Sequence, residues 1–324
     1  MKILLMYSNH RPSPEHIERL QSKAPDITVV VADSEWRAIE EAPSTDVIFG
    51  HRYLRQTLPH APRVRWIQSS GGGIDHIICS ELLNPHILLT RTPVFAQIIA
   101  RHAHTLAWSL IRRIPDFVRF QFEKTWNPFF ETLPFPKAAL VLGFGCIGRE
   151  LGKLLKRDSI RVLGVKRCLE KDSRMFCDEL LGENSWRERL HDVDFCFLTL
   201  PLNIKTMGIF DEYCLRSLPP HAVMVNVGRG ELMDTQALIR VLHEGHLGGV
   251  GLDVVDPQPP SPADPIWKAP RLCLTPHVAG RYPQRSEVLE NFFERQLSRF
   301  LTGEPLEGVI NPSDLLLHEN KNDT

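Results

Sequence analysis

Three polar side chains of different chemistry close apolar runs in the second half of this sequence. Arg229 stands in Gly228-Arg229-Gly230, Asp253 in Gly251-Leu252-Asp253-Val254, and His277 in Thr275-Pro276-His277-Val278-Ala279-Gly280. A guanidinium between glycines can fork onto a carboxylate. Each residue follows a candidate strand, and open α/β sheets bind their ligands beyond the carboxyl ends of such strands. The three would therefore converge on one crevice, an arginine that holds an anion facing an acid and an imidazole. A second glycine cluster, Gly71-Gly72-Gly73 after Trp66-Ser69, offers bare amides that can close on a small anion.

A further signal lies upstream of these three. Ala139-Leu140-Val141-Leu142 runs straight into Gly143-Phe144-Gly145-Cys146-Ile147-Gly148, and Leu151, Leu154 and Leu155 follow at helical spacing. Strand, tight turn and helix in that order form a dinucleotide site. Gly143 permits the turn, Gly145 admits a pyrophosphate to the backbone, and Gly148 lets helix and strand pack closely. The amides of Cys146 and Ile147 open the helix and can hold the phosphates. The next strand, Ile160 to Arg167, ends in Lys166 and Arg167 where NAD-binding proteins carry an acid for the ribose. Two cations suit a 2′-phosphate, so NADP(H) is preferred and NAD(H) remains open. Leu200 and Pro201 end a further strand, Asp194–Leu200. With Val227-Gly228 after the strand Ala222–Val227, Asp253 after Gly248–Val255, and Gly280 beyond Leu272–Thr275, they complete the expected cofactor edge.

These elements sit in a larger alternation of strands and helices. Lys2–Tyr7, Ile27–Val31 and Asp46–Gly50 read as strands, and Pro14–Lys23 as a helix capped by Ser13. His51, Arg52 and Tyr53 follow the third strand and are candidates to line the site or simply to form a surface turn. From Pro93 to about Phe130 the chain reads as helical and carries many bulky apolar residues, more than its own core needs, so a dimerisation arm is expected there. Within it Arg112-Arg113 reads as a solvated face. Ser286–Leu301 is an amphipathic helix stopped at Gly303-Glu304-Pro305, and the tail from His318 to Thr324 is polar and expected to fray.

Length and charge bound the rest. The 324 residues suit about two domains. Thirty-eight basic against 39 acidic residues leave a net charge of −1, which favours neither nucleic acid nor an acidic membrane as partner. No run approaches a membrane span, and the start, Met1–Asn9, holds too short an apolar run for a signal segment. The seven cysteines, Cys79, Cys146, Cys168, Cys177, Cys196, Cys214 and Cys273, are dispersed without a C-x-x-C pair. We expect reduced, mostly buried thiols, a cytoplasmic protein and no metal site.

The four motifs, Gly143-x-Gly145-x-x-Gly148, Asn226-Val227-Gly228-Arg229-Gly230, Gly251-Leu252-Asp253-Val254 and Thr275-Pro276-His277-Val278-Ala279-Gly280, resemble in order and spacing those of the D-isomer-specific 2-hydroxyacid dehydrogenases, particularly the glyoxylate and hydroxypyruvate reductase branch. The resemblance runs from the Ser70-Gly71-Gly72-Gly73 loop to Gly303-Glu304-Pro305. It implies an α/β protein of two doubly wound parallel-sheet domains, with a Rossmann nucleotide-binding domain inserted into a flavodoxin-like catalytic domain. The expected divisions are residues 1–97 with 287–324 for the catalytic domain and 98–286 for the nucleotide domain, including a dimer arm over about 98–135. By similarity Arg229 would bind the carboxylate of a small 2-oxoacid and polarise its keto group, helped by amides of Gly71, Gly72 and Gly73. His277 would donate the proton, and Asp253 would bind the nicotinamide carboxamide. A cation and an acid suit the alkoxide charge that hydride addition builds.

Two positions depart from the family. Where a glutamate normally partners the histidine, this chain has Gln258, followed by Pro259; Asp256 lies two residues earlier. Relatives commonly carry an acid where Arg101 stands, beside His102. Gln258 keeps two alternatives open: a cofactor-sensing binding protein resembling the family's co-repressor branch, and a formate dehydrogenase-like hydride transfer.

Overall fold

The computed structural model describes residues 1–8, 11–128, 131–167 and 175–311. Cys168, Phe130, Asn9 and the tail His318–Thr324 lie outside them. The chain divides into two compact units, one of Met1–Phe95 with Tyr282–Thr324 and one of Ala96–Arg281.

The first unit holds β1 (Lys2–Met6), β2 (Thr28–Val31), β3 (Val47–Gly50), β4 (Trp66–Gln68) and β5 (Leu88–Thr90). Their order is β2-β1-β3-β4-β5, and every ladder between them is parallel. Ile3, Leu4, Leu5 and Met6 are all fully buried, as an apolar strand covered on both faces must be. Gly50 closes β3 at φ +95°, and a Cβ there would stand 2.2 Å from the Met6 carbonyl oxygen, so only glycine delivers His51 to the sheet's edge. Helices α1 (Pro14–Gln21), α2 (Glu35–Glu41) and α3 (Leu54–Thr57) connect the strands. Ser13 caps α1 by accepting the His16 amide, and proline occupies the first helical turn.

The second unit opens with α4 (Ala96–Ile111) and α5 (Ile114–Phe122). The expected continuous helical stretch is broken between them, because Arg113 takes the left-handed conformation at φ 58°. Nor is Arg113 a solvated face. Its side chain is only 12% exposed, pairs with Asp116 at 3.2 Å and donates to the Gly248 carbonyl at 3.2 Å, tying the bend to the sheet. Seven parallel strands follow: β6 (Ala138–Leu142), β7 (Arg161–Val165), β8 (Glu179–Leu181), β9 (Phe195–Leu198), β10 (Val223–Asn226), β11 (Gly249–Leu252) and β12 (Leu272–Leu274). Their order is β12-β11-β10-β9-β6-β7-β8. The order reverses beside β6, the kind of switch point at which doubly wound sheets bind dinucleotides. Helix α6 (Cys146–Arg157) leaves β6, and α7 (Glu212–Ser217) and α8 (Thr235–His243) lie between later strands. Glycine on β11 lets α4 come close: Cβ atoms at Gly249 and Gly251 would stand 3.0 and 3.1 Å from Leu110 and Leu106.

The last helix, α9 (Arg285–Thr302), belongs to the first unit and ends at Gly303 in the left-handed conformation. It is fastened to α1 by buried polar contacts. Tyr7 Oη lies 2.7 Å from His16 Nε2, and His16 Nδ1 lies 2.7 Å from Glu294. Ser13 donates to Glu290 from both its amide and its hydroxyl. Burial, partly offset by Glu294, lowers the His16 pKa.

Of the described cysteines, Cys177, Cys196 and Cys214 are buried while Cys79, Cys146 and Cys273 are half-buried, and all six are free thiols. Among the described residues no helix is long and apolar enough to cross a membrane.

Candidate active site

The loop between β6 and α6 has the shape its glycines allow. Gly143 sits at φ +96°, where a Cβ would lie 2.7 Å from the Leu200 amide nitrogen. A Cβ on Gly148 would lie 2.7 Å from the Gly143 carbonyl oxygen, so the helix starts hard against the turn. Gly145 differs, since nothing stands within 4 Å of where its Cβ would be. That open backbone, beside helix-start amides with no intrahelical acceptor, fits a pyrophosphate. Thr199 braces the turn from β9, its hydroxyl donating to the carbonyls of Leu142 at 3.1 Å and Gly143 at 2.8 Å. Lys166, just past β7, is half-buried and Arg167 is exposed. Leu200 is half-buried and Pro201 exposed beyond β9.

Arg229 follows β10 on a loop built by its neighbours. The buried Asn226 side chain accepts the Gly228 amide at 2.9 Å and donates to the Arg229 carbonyl at 2.8 Å. A Cβ on Gly230 would come within 2.1 Å of Val255, so the loop can pass there only as glycine. The Arg229 guanidinium, half-buried, donates to the Gly228 carbonyl at 2.7 Å.

His277 is exposed beyond β12 with φ 53°, a left-handed conformation that is uncommon outside glycine. Asp253, beyond β11, holds it there. The Asp253 carbonyl accepts the His277 amide at 2.8 Å. Its carboxylate accepts the amides of Val278 and Ala279, each at 2.9 Å, and the Thr275 hydroxyl at 2.6 Å. Asp253 is 2% exposed, and both carboxylate oxygens are committed to its own chain. Burial alone would raise its pKa; His102, Thr275 and the two amides together outweigh burial and hold it below the ordinary value. His102, on α4, completes the bracket, its Nε2 lying 3.0 Å from Thr275 Oγ1 and 3.5 Å from Asp253 Oδ1. Because the Thr275 hydroxyl donates to Asp253, it accepts from His102.

Gln258 meets His277 directly: its amide Nε2 lies 2.8 Å from Nδ1. A donor at Nδ1 leaves the imidazole proton on Nε2. Arg229, Asp253, Gln258 and His277 thus all lie in one unit beyond neighbouring strands β10, β11 and β12, and Gly280 is half-buried. Arg101 is exposed on α4. In the other unit, Gly71, Gly72 and Gly73 follow β4, and the Gly71 amide donates to Ser69 Oγ at 3.2 Å.

Thr199, Asn226, Thr275 and His102 were not among the sequence-derived site residues. The first three share one signal, a polar side chain ending an apolar strand. His102 gives none, being one polar residue among several on a helix.

Fold and site together define a dinucleotide-binding oxidoreductase with an arginine, a histidine and a glutamine on its strand ends. The family model for the D-isomer specific 2-hydroxyacid dehydrogenase NAD binding domain matches residues 104–279. A glyoxylate reductase of Pyrococcus furiosus is 28% identical over 284 residues, covering 84% of this chain and 83% of that protein. A D-isomer specific 2-hydroxyacid dehydrogenase family protein from Aeromonas salmonicida superposes with a TM-score of 0.79 at 25% identity, covering 96% of this chain and 99% of that one. An NADPH-dependent glyoxylate/hydroxypyruvate reductase from Sinorhizobium meliloti, solved with NADP and sulfate, has the same fold, with a TM-score of 0.79 at 22% identity over 97% of this chain and 99% of that chain. The chain belongs to the D-isomer specific 2-hydroxyacid dehydrogenase family, and it is an NAD(P)-dependent oxidoreductase.

Proposed function

We propose that this protein reduces small 2-oxoacids of the glyoxylate and hydroxypyruvate type to D-2-hydroxyacids, with NADPH as the preferred reductant. The observation that carries the reading is the 2.8 Å contact between Gln258 and His277 on the strand ends that also bear Arg229. When bound, the reduced nicotinamide supplies a hydride to the keto carbon. Arg229 holds the substrate carboxylate and draws charge onto the keto oxygen. In its imidazolium form, with the Gln258 amide turned so that its oxygen accepts from Nδ1–H, His277 delivers its Nε2 proton to the keto oxygen; the C=O π bond becomes C–H and O–H, and the ring is left neutral. Gln258 keeps the ring turned by its grip on Nδ1, and Asp253 keeps the whole loop in place. The amides of Gly71, Gly72 and Gly73 bind carboxylate oxygens. Cofactor phosphates rest on the amides about Gly145, Cys146 and Ile147, with Lys166 and Arg167 beside the 2′-phosphate.

Two features bear on assembly and location. The stretch 98–135 serves as a homodimer arm, supported by an α5 with no buried residue and by Phe122 and Trp126 at 81% and 93% exposure. The free thiols suit a reducing cytoplasm.

The neutral Gln258 favours one other reading, a cofactor sensor in which NADPH binds without turnover. Absorbance at the nicotinamide band during incubation with glyoxylate, hydroxypyruvate and pyruvate separates the two. We expect oxidation of NADPH with a higher kcat/KM than NADH. Tight NADPH binding with no oxidation by any of the acids supports the sensor instead.

A further inference from the structure

Of the three polar residues that follow β3, two are used locally. Arg52 lies over the Tyr53 ring at 5.2 Å, and the Tyr53 hydroxyl donates to the Asp33 carbonyl at 2.9 Å. His51 is different. Its Nδ1 meets the hydroxyls of Ser69 at 3.0 Å and Ser70 at 3.3 Å. Its Cε1 lies 3.5 Å from where a Cβ on Gly71 would stand. Since Cε1 joins the two ring nitrogens, this edge of the imidazole lies against the triglycine loop. In the tautomer whose Nδ1 accepts from a serine hydroxyl, the ring proton lies on Nε2. Burial, then the charges of His76 and Arg285, push its pKa down to about 4, so the ring stays neutral and keeps that donor at working pH. The His76 ring packs edge-on at 4.8 Å, and Arg285, at the start of α9, lies over Phe95 at 4.6 Å. Among the described residues, the side-chain hydrogen-bond partners of His51 are the hydroxyls of Ser69 and Ser70.

We propose that His51 is a specificity residue, its Nε2–H donating to an oxygen on C3 of a 2-oxoacid whose carboxylate rests on the Gly71–Gly73 loop. This rests on the reductase reading above and adds a substrate class to it: acids with a hydroxyl or carboxylate on C3 are selected over those with an alkyl group there. The selection has a plain physical origin. A donor built to meet an oxygen is left unpaired by a methyl group, whereas glyoxylate, with no C3, neither gains nor loses.

The test is the ratio of kcat/KM values for hydroxypyruvate and for oxaloacetate against pyruvate, in the parent, in His51→Phe and in His51→Gln. The parent ratio should be about tenfold or more, the size expected for one hydrogen bond to substrate. His51→Phe should bring it to within about twofold of unity, and His51→Gln, which retains an N–H, should recover part of it. The oxaloacetate arm shows whether a charged oxygen is favoured over hydroxyl. A ratio unchanged in His51→Phe, or all acids weakened alike, overturns the proposal and leaves His51 a support for the loop. A parent that reduces none of the acids counts against the reductase reading; calorimetry then decides the inference separately. In the NADP+ complex, D-glycerate should bind the parent about tenfold more tightly than D-lactate, and His51→Phe should abolish the difference. Equal binding of the two acids by the parent overturns it.

Discussion

Gln258 sets the proton chemistry of His277. A carboxylate at that place would favour the imidazolium and raise its pKa by about 1–3 units; an amide contributes no charge. Carbonyl reduction consumes the histidine proton and should therefore lose rate as pH rises. Gln258→Glu should carry that falling limb upward by about 1–3 units, and superimposable pH profiles for parent and variant would reject the charge argument. Asp253 has the opposite pH sign. Its pKa is depressed in the fold, so its stabilising contribution is present above the unfolded value of about 3.9 and is lost as pH falls through the lowered native one. His102→Phe removes one donor to Thr275 and should cost about 0.5–1.5 kcal/mol in urea unfolding, with kcat falling more than KM rises. An unchanged kcat would show that the His277 loop stands without this support. Arg229 and His277 were legible in the sequence because each sits in a spaced motif, and Gln258 because it stands where the resembled family normally has a glutamate. His102 was not, since its importance comes from a residue 173 positions away.

At the scale of elements, the β6–α6 turn carries the tightest constraint. Gly148→Ala would set a methyl group against the Gly143 carbonyl, a backbone atom that cannot swing aside. We expect a loss of about 1–3 kcal/mol in stability and weaker NADPH binding by fluorescence titration; a variant with unaltered affinity would show that the turn can widen. Ser13→Ala tests the first unit in the same way. It removes the α1 cap and the hydroxyl bond to Glu290, and should cost about 0.5–2 kcal/mol by denaturant titration. Long apolar strands such as β6 and β10 were plain from sequence, because burial on both faces demands uninterrupted apolar runs. β8 was not foreseen: three residues, Glu179-Leu180-Leu181, are too short for any periodicity. The bend at Arg113 escaped for another reason. A left-handed arginine has no compositional mark, and its cost is met by the ion pair to Asp116 and the bond to Gly248.

For the whole molecule, alternation of strands and helices announced two parallel α/β units, and the glycine loop identified the nucleotide-binding one. Near-neutral charge carries no positional information, so neither the substrate's side chain nor the assembly could be read from composition. The exposed apolar face of α5 predicts a dimer. Light scattering at micromolar concentration should give about twice the chain mass, and Phe122→Ser with Trp126→Ser should shift it toward monomer; a monomeric parent would remove the arm from the account. The central claim is that Arg229 and His277 act on one keto group. It is tested most directly by steady-state reduction of glyoxylate by NADPH in Arg229→Ala and His277→Ala, alongside calorimetric NADPH binding. Both variants should lose at least about a hundredfold in kcat/KM, the scale of a removed general acid or oxyanion partner, while still binding NADPH. Turnover within a fewfold of the parent in either variant would contradict it.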